Sequence, residues 1–136
     1  MKVTSFLAFI FLTFLLIGCG NKVGVSGKVT FSDDHSPLTV GTVCFSTGDF
    51  LARGEIQPDG TFKVGSISNS DGLPSGTYQV YIIGADEETG KDKSGMPMMK
   101  SLIDPNTIND SKSPINIEVS SKTKRIELTV NRPSSK

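Results

Sequence analysis

Tryptophan is absent from the chain, and histidine occurs once, as His35. The first absence counts against a glycan site, which stacks sugars on exposed aromatic faces; Tyr78 and Tyr81 fall inside one apolar run and are expected within a strand. A lone histidine makes no zinc site and leaves a cysteine nucleophile one candidate base in the whole chain. Two cysteines, Cys19 and Cys44, build no disulfide framework. Neither sign of charge prevails, with 14 Lys and Arg against 14 Asp and Glu. The chain therefore lacks the basic face that neutralises phosphate, and no nucleic-acid partner is expected. The nearest basic cluster, Lys122 to Arg125, reads as a solvated turn. Two acidic clusters, Asp33-Asp34-His35 and Asp86 to Asp92, lack EF-hand spacing. They read as polar loop tips, so no metal and no cofactor is expected.

What is present begins with an apolar run, Phe6 to Ile17, after the basic Lys2. It is too short for a bilayer, which needs roughly 20 apolar residues, and its order of basic start, apolar core and small residue is that of a secretory signal. Leu16-Ile17-Gly18-Cys19 resembles the lipobox of bacterial lipoproteins. That resemblance implies cleavage between Gly18 and Cys19, a diacylglycerol on the Cys19 thiol and an acyl chain, such as palmitate, on its new amino group. Two or three chains hold a protein durably at a membrane where one does so only marginally. Gly20 stands where an aspartate commonly marks inner-membrane retention, which leans toward an outer membrane. With Cys19 lipidated, Cys44 has no intramolecular partner; in the strand-like Thr42 to Ser46 it reads as a small buried hydrophobe.

Beyond Lys22 the chain alternates with period two between turn-forming clusters. Val23, Val25, Val29 and Phe31 put one apolar face inward from a first strand, and Leu38 to Ser46 supplies a second. Phe50 to Gln57 and Thr61 to Val64 flank Pro58-Asp59-Gly60, a hairpin signal that places Ala52, Ile56, Phe62 and Val64 on the core face. Gly54 inside that strand indicates a bulge or a close backbone approach. Thr77 to Gly84 is apolar on both faces and is expected at the centre of a sheet. Ala85 to Ser94 is expected as a charged solvent loop; Pro114 to Val119 and Lys124 to Val130 complete the strands. Seven short strands with many turns predict an all-β, antiparallel β-sandwich, with a closed barrel as the competing architecture. The domain reading is a signal peptide over 1–18, a lipidated tether over 19–22, one sandwich over 23–131 and a disordered tail over 132–136.

The segments SGKVTF, ARGEIQPDGTFKVG, DGLPSGTYQVYIIG and SPINIEV with KRIELTV, in that order behind a lipobox, resemble bacterial lipoproteins with a carboxypeptidase regulatory-like domain. The resemblance implies a transthyretin-like, Greek-key sandwich and little biochemistry, because one fold hosts many functions. Related sandwiches that hydrolyse 5-hydroxyisourate need several histidines and a C-terminal tyrosine-arginine-glycine-serine motif, whereas this chain ends in Asn131-Arg132-Pro133-Ser134-Ser135-Lys136. No enzyme is expected. Gly95 to Asn109 is long and apolar for a connection. Its residues either cover an open end of the sandwich, or Met96, Met98 and Met99 offer an adaptable surface to an envelope protein partner. The expected function is a non-catalytic, membrane-anchored structural or interaction module. The alternative is an accessory lipoprotein presenting glycan or peptide to a transport system; the residues identify no small molecule.

Overall fold

The computed structural model describes residues 22–66 and 71–135. The expected signal, its cleavage point at Gly18 and Cys19, and the lipid on Cys19 lie outside the described residues. In chain order the strands are β1 (Ser26–Phe31), β2 (Thr42–Thr47), β3 (Phe50–Glu55), β4 (Thr61–Lys63), β5 (Gly76–Ile83), β6 (Asp86–Lys91), β7 (Pro97–Ser101), β8 (Ile115–Val119) and β9 (Arg125–Val130). One helical turn, α1 (Pro105–Ile108), precedes β8. The chain is all-β. A three-stranded sheet in the order β4-β1-β9 packs on a four-stranded sheet in the order β3-β2-β5-β8, and β6 and β7 form a separate ribbon.

Alternation produces this packing because successive strand residues face opposite ways. Val25, Val29 and Phe31 from β1 and its approach, Phe45 from β2, Phe62 from β4, Tyr78, Val80 and Ile82 from β5, and Ile126, Leu128 and Val130 from β9 are all buried in one core. Phe45 meets Phe62 from the opposite sheet at 6.2 Å and Tyr78 edge-on at 6.2 Å. The facing position on β1 is Gly27: a Cβ there would overlap the Ile126 carbonyl and lie 2.5 Å from Phe62 Cζ. Its missing side chain is what admits the Phe62 ring. Gly54 acts similarly, since a Cβ would fall 2.5 Å from the Lys63 carbonyl oxygen. The close backbone approach expected there brings β3 against β4, with paired Arg53–Gly65 backbone bonds of 2.9 and 3.0 Å. One side of the sandwich is thus joined, while β8 and β9 form its other margins.

The turns follow their chemistry. The Gly60 amide donates to the Gln57 carbonyl and Gln57 to Thr61, with Gly60 at φ 85; this is the three-residue hairpin whose last position favours glycine. Asp59 accepts from the Thr61 amide and hydroxyl. Before β5, the Tyr78 hydroxyl donates to the Pro74 carbonyl at 2.6 Å, the backward bond of a tyrosine corner. Val23 and Leu73 pair through backbone bonds of 2.6 and 2.8 Å. They mark the end at which the described chain enters, here the entry end. From it β1, β5 and β9 all run toward the opposite end.

Three expectations are corrected. The described residues contain nine strands, because Ala85 to Ser94, read as a charged loop, supplies β6; its acidic, glycine-containing sequence has no buried face to generate alternation. The sandwich is not wholly antiparallel: β1 and β9 pair in parallel from Ser26↔Arg125 to Phe31↔Val130, a relation between chain ends that local pattern does not carry. Arg132, assigned to a disordered tail, is held by Asp33 and Asp34.

Candidate functional site

β5 ends at Ile83, Gly84 turns at φ 66, and the buried Ala85 leads into β6. The turn to β7 is built by Asp92, whose Oδ1 accepts from the Ser94 amide and hydroxyl and from the Met96 amide, with Gly95 at φ 85. These bonds hold the Asp92 carboxyl below its ordinary pKa, the Ser94 hydroxyl foremost. A bulge falls between Glu88 and Gly90, where the Thr89 hydroxyl donates to the Met98 carbonyl. At the base, the Leu102 amide donates to the Ala85 carbonyl and the Asp104 amide to Asn131. Every residue from Glu87 to Lys100 is exposed.

The structure divides the Gly95 to Asn109 segment between its two readings. Ile103 is fully buried in the core and Leu102 packs against it, so these two close the opposite end of the sandwich. Thr107 in α1 is buried, and α1 contacts β5. Met96, Met98 and Met99 lie outside, 65%, 50% and 59% exposed. Opposite Met99 stands Glu88, and opposite Lys100 stands Glu87. The ribbon therefore presents thioethers among charges of both signs, and neither of its faces rests on the sandwich.

Other sequence candidates go elsewhere. Cys44 is buried on β2, and burial raises its thiol pKa against a smaller opposing effect of Arg53. His35, at φ 58, lies exposed in the turn after β1 and donates its amide to Phe31. The Asp33-Asp34-His35 cluster meets a guanidinium: Arg132 Nε donates to Asp33 at 2.8 Å, its terminal nitrogen lies 3.3 Å from Asp34 and Ser36, and its carbon sits 3.8 Å over the Phe31 ring. Ser36 donates to Asp34 through hydroxyl and amide, which, hydroxyl first, lowers the Asp34 pKa to about 2. Among the described residues no three potential metal ligands converge.

The sequence did not single out a depression of about 550 Å³ on the outside of the three-stranded sheet. Lys63, Arg125, Glu55, Gln57, Ser26 and Thr61 contribute to its lining. It offers charge and hydrogen bonds, without a thiol or imidazole. The cross-strand register Ser26↔Lys63 and Ser26↔Arg125 brings its two cations together, a relation invisible without the pairing.

No family model and no curated protein matches the chain. Solved structures do. The chain is similar, over 84% of its length and 30% of the other's, to a variant of BcpA, the major pilin subunit of Bacillus cereus, at 14% identity and TM-score 0.49. The unmodified pilin subunit gives 15% identity and TM-score 0.47 over 31% of its length. A 9R-lipoxygenase from Cyanothece gives 16% identity and TM-score 0.40 over 17% of its length. The chain thus spans about a third of each pilin subunit.

Proposed function

We propose that the chain is an envelope lipoprotein without catalysis, anchored through lipid on Cys19, whose sandwich presents the β6–β7 ribbon to a protein partner. The observation that carries this reading is the ribbon itself. An isolated two-stranded ribbon is marginal in water, yet Glu87 to Lys100 stand exposed with three methionines among them, and flexible thioethers suit adaptable contacts. It projects from the end opposite the entry of the chain, and so points away from a membrane reached through Cys19. The absence of catalysis is read from the burial of Cys44, whose polar neighbours are Arg53 and Tyr81, and from the turn-building or ion-paired roles of Asp33, Asp34, Asp59 and Asp92. The carboxypeptidase regulatory-like resemblance belongs to the same proposal, as does an outer-membrane location.

Two measurements test it. Intact mass of the protein purified from membranes, beside Cys19→Ser, is expected to show loss of residues 1–18 and a diacylglycerol-sized addition that the variant lacks; an unmodified Cys19 overturns the anchor. A photo-crosslinker replacing Met98 is expected to yield a discrete protein adduct in cells that the same group at Glu118, on β8, does not. Identical patterns from the two positions overturn the ribbon's role.

A further inference from the structure

We infer that the entry end of the sandwich is a docking surface for anionic lipid headgroups, so that the anchored domain stands on the membrane in one orientation. This rests on the anchor proposed at Cys19 and extends it to the folded surface. Cations distant in sequence gather around the point where the chain enters. Ser26, the first residue of β1, pairs with Lys63 on β4 and with Arg125 on β9, and its amide donates to the Lys124 carbonyl. Lys122 lies on the adjacent turn, closed by the Thr123 amide donating to Ser120, and Lys22 begins the described chain. All five side chains belong to exposed residues.

The carboxylates near these cations are partly engaged, and Glu55 lines the same depression as Lys63 and Arg125. Asp71 takes Lys22 at 2.9 Å and Glu127 takes Arg125 at 2.7 Å; Asp49 lies on the β2–β3 turn and Glu118 on β8. Lys63, Lys122 and Lys124 form no ion pair among the described residues. At the opposite end Asp33, Asp34, Asp86, Glu87, Glu88 and Asp92 stand against Arg132, Lys91, Lys93 and Lys100, a small acidic excess. The chain as a whole is neutral, and the balance of charge between its two ends differs modestly, toward the cations at the entry.

Geometry makes those cations act on a membrane. Two residues, Gly20 and Asn21, separate Cys19 from Lys22, three steps of chain with a reach of at most about 11 Å, which is close to the Debye length of about 8–10 Å at moderate salt. A domain anchored so closely keeps its entry-end cations inside the field of the headgroups. Uncharged headgroups leave the domain free to tilt about its tether; anionic ones draw down Lys63, Lys122 and Lys124 and so turn the ribbon at the opposite end outward.

The test is amine-reactive labelling, read lysine by lysine by mass spectrometry, of the membrane-purified full protein in vesicles of phosphatidylcholine alone or mixed with phosphatidylglycerol. On the anionic vesicles Lys63, Lys122 and Lys124 are expected to label about five-fold more slowly, corresponding to about one lysine's attraction to such a surface. Lys91, Lys93 and Lys100 are expected to be unchanged, and raised salt should erase the difference. A Lys63→Gln, Lys122→Gln, Lys124→Gln variant, in which no paired or buried side chain is altered, should lose the dependence on vesicle charge at Lys22. Equal labelling of the two ends on both vesicles, with lipid on Cys19 established by mass, overturns the docking and leaves the anchor. Charge-dependent protection of a protein without lipid overturns the anchor and leaves the docking.

Discussion

Gly27 and Gly24 are three residues apart on one strand approach and have opposite constraints. A Cβ at Gly27 has nowhere to go, between the Ile126 carbonyl and the Phe62 ring, whereas at Gly24 nothing lies within 4 Å. Overpacking a filled core costs about 1–3 kcal/mol. Gly27→Ala is therefore expected to lose about 2–3 kcal/mol in urea unfolding, and Gly24→Ala to stay within about 0.5 kcal/mol of the parent; equal losses would remove the close packing from the account. Asp34 gives a residue-scale dependence on pH. The bonds from Ser36, with Asp33 and Arg132 assisting, hold its pKa at about 2, below the ordinary value of about 3.9. The unfolded state then takes up the proton first as pH falls. The stability contributed by the charge is complete above about pH 4 and disappears as pH drops through 2. Asp34→Asn should unfold more easily than the parent at neutral pH, with a gap that closes toward pH 2; a gap independent of pH would assign the effect to shape alone.

At the scale of elements, burial separates the strands that sequence could reveal from those it could not. The seven strands of the two packed sheets each turn one face to the core, and that burial imposes the alternation by which Val25, Val29 and Phe31 or Ile126, Leu128 and Val130 are recognised. β6 and β7 have no such face. Asp86 to Lys91 shows no apolar period and Met98-Met99 breaks one, so their strand character rests on pairing with each other and on the Asp92 turn. Met96, Met98 and Met99 were legible as candidates, but whether they lay in the core depended on where the neighbouring Ile103 anchored. The entry-end cations were still less legible, since Lys63 and Arg125 become neighbours only through β1. The ribbon's independence predicts a separation of effects: Met98→Ser with Met99→Ser should change unfolding free energy by less than about 0.5 kcal/mol while removing the crosslinked partner. A loss of several kcal/mol would return the methionines to the core.

The described fold depends on a pairing between its first and last strands. Six residues of β1 lie in register with β9, while β4 covers only Ser26 to Lys28. A chain ending at Ser120 would leave Val29 and Phe31 without Leu128 and Val130. Such a chain is expected to show no cooperative urea transition by circular dichroism, whereas a sharp transition near that of the full chain would show β9 to be dispensable. Parallel pairing also has a temporal side. Proteins emerge amino end first, and contacts of long sequence separation close slowly. Here the first strand waits beside its open edge until the last has been delivered, so folding cannot finish piecemeal during emergence. β9, the last of the described strands, works as the latch of the domain, and until it arrives the apolar residues of β1 lack their partners Leu128 and Val130.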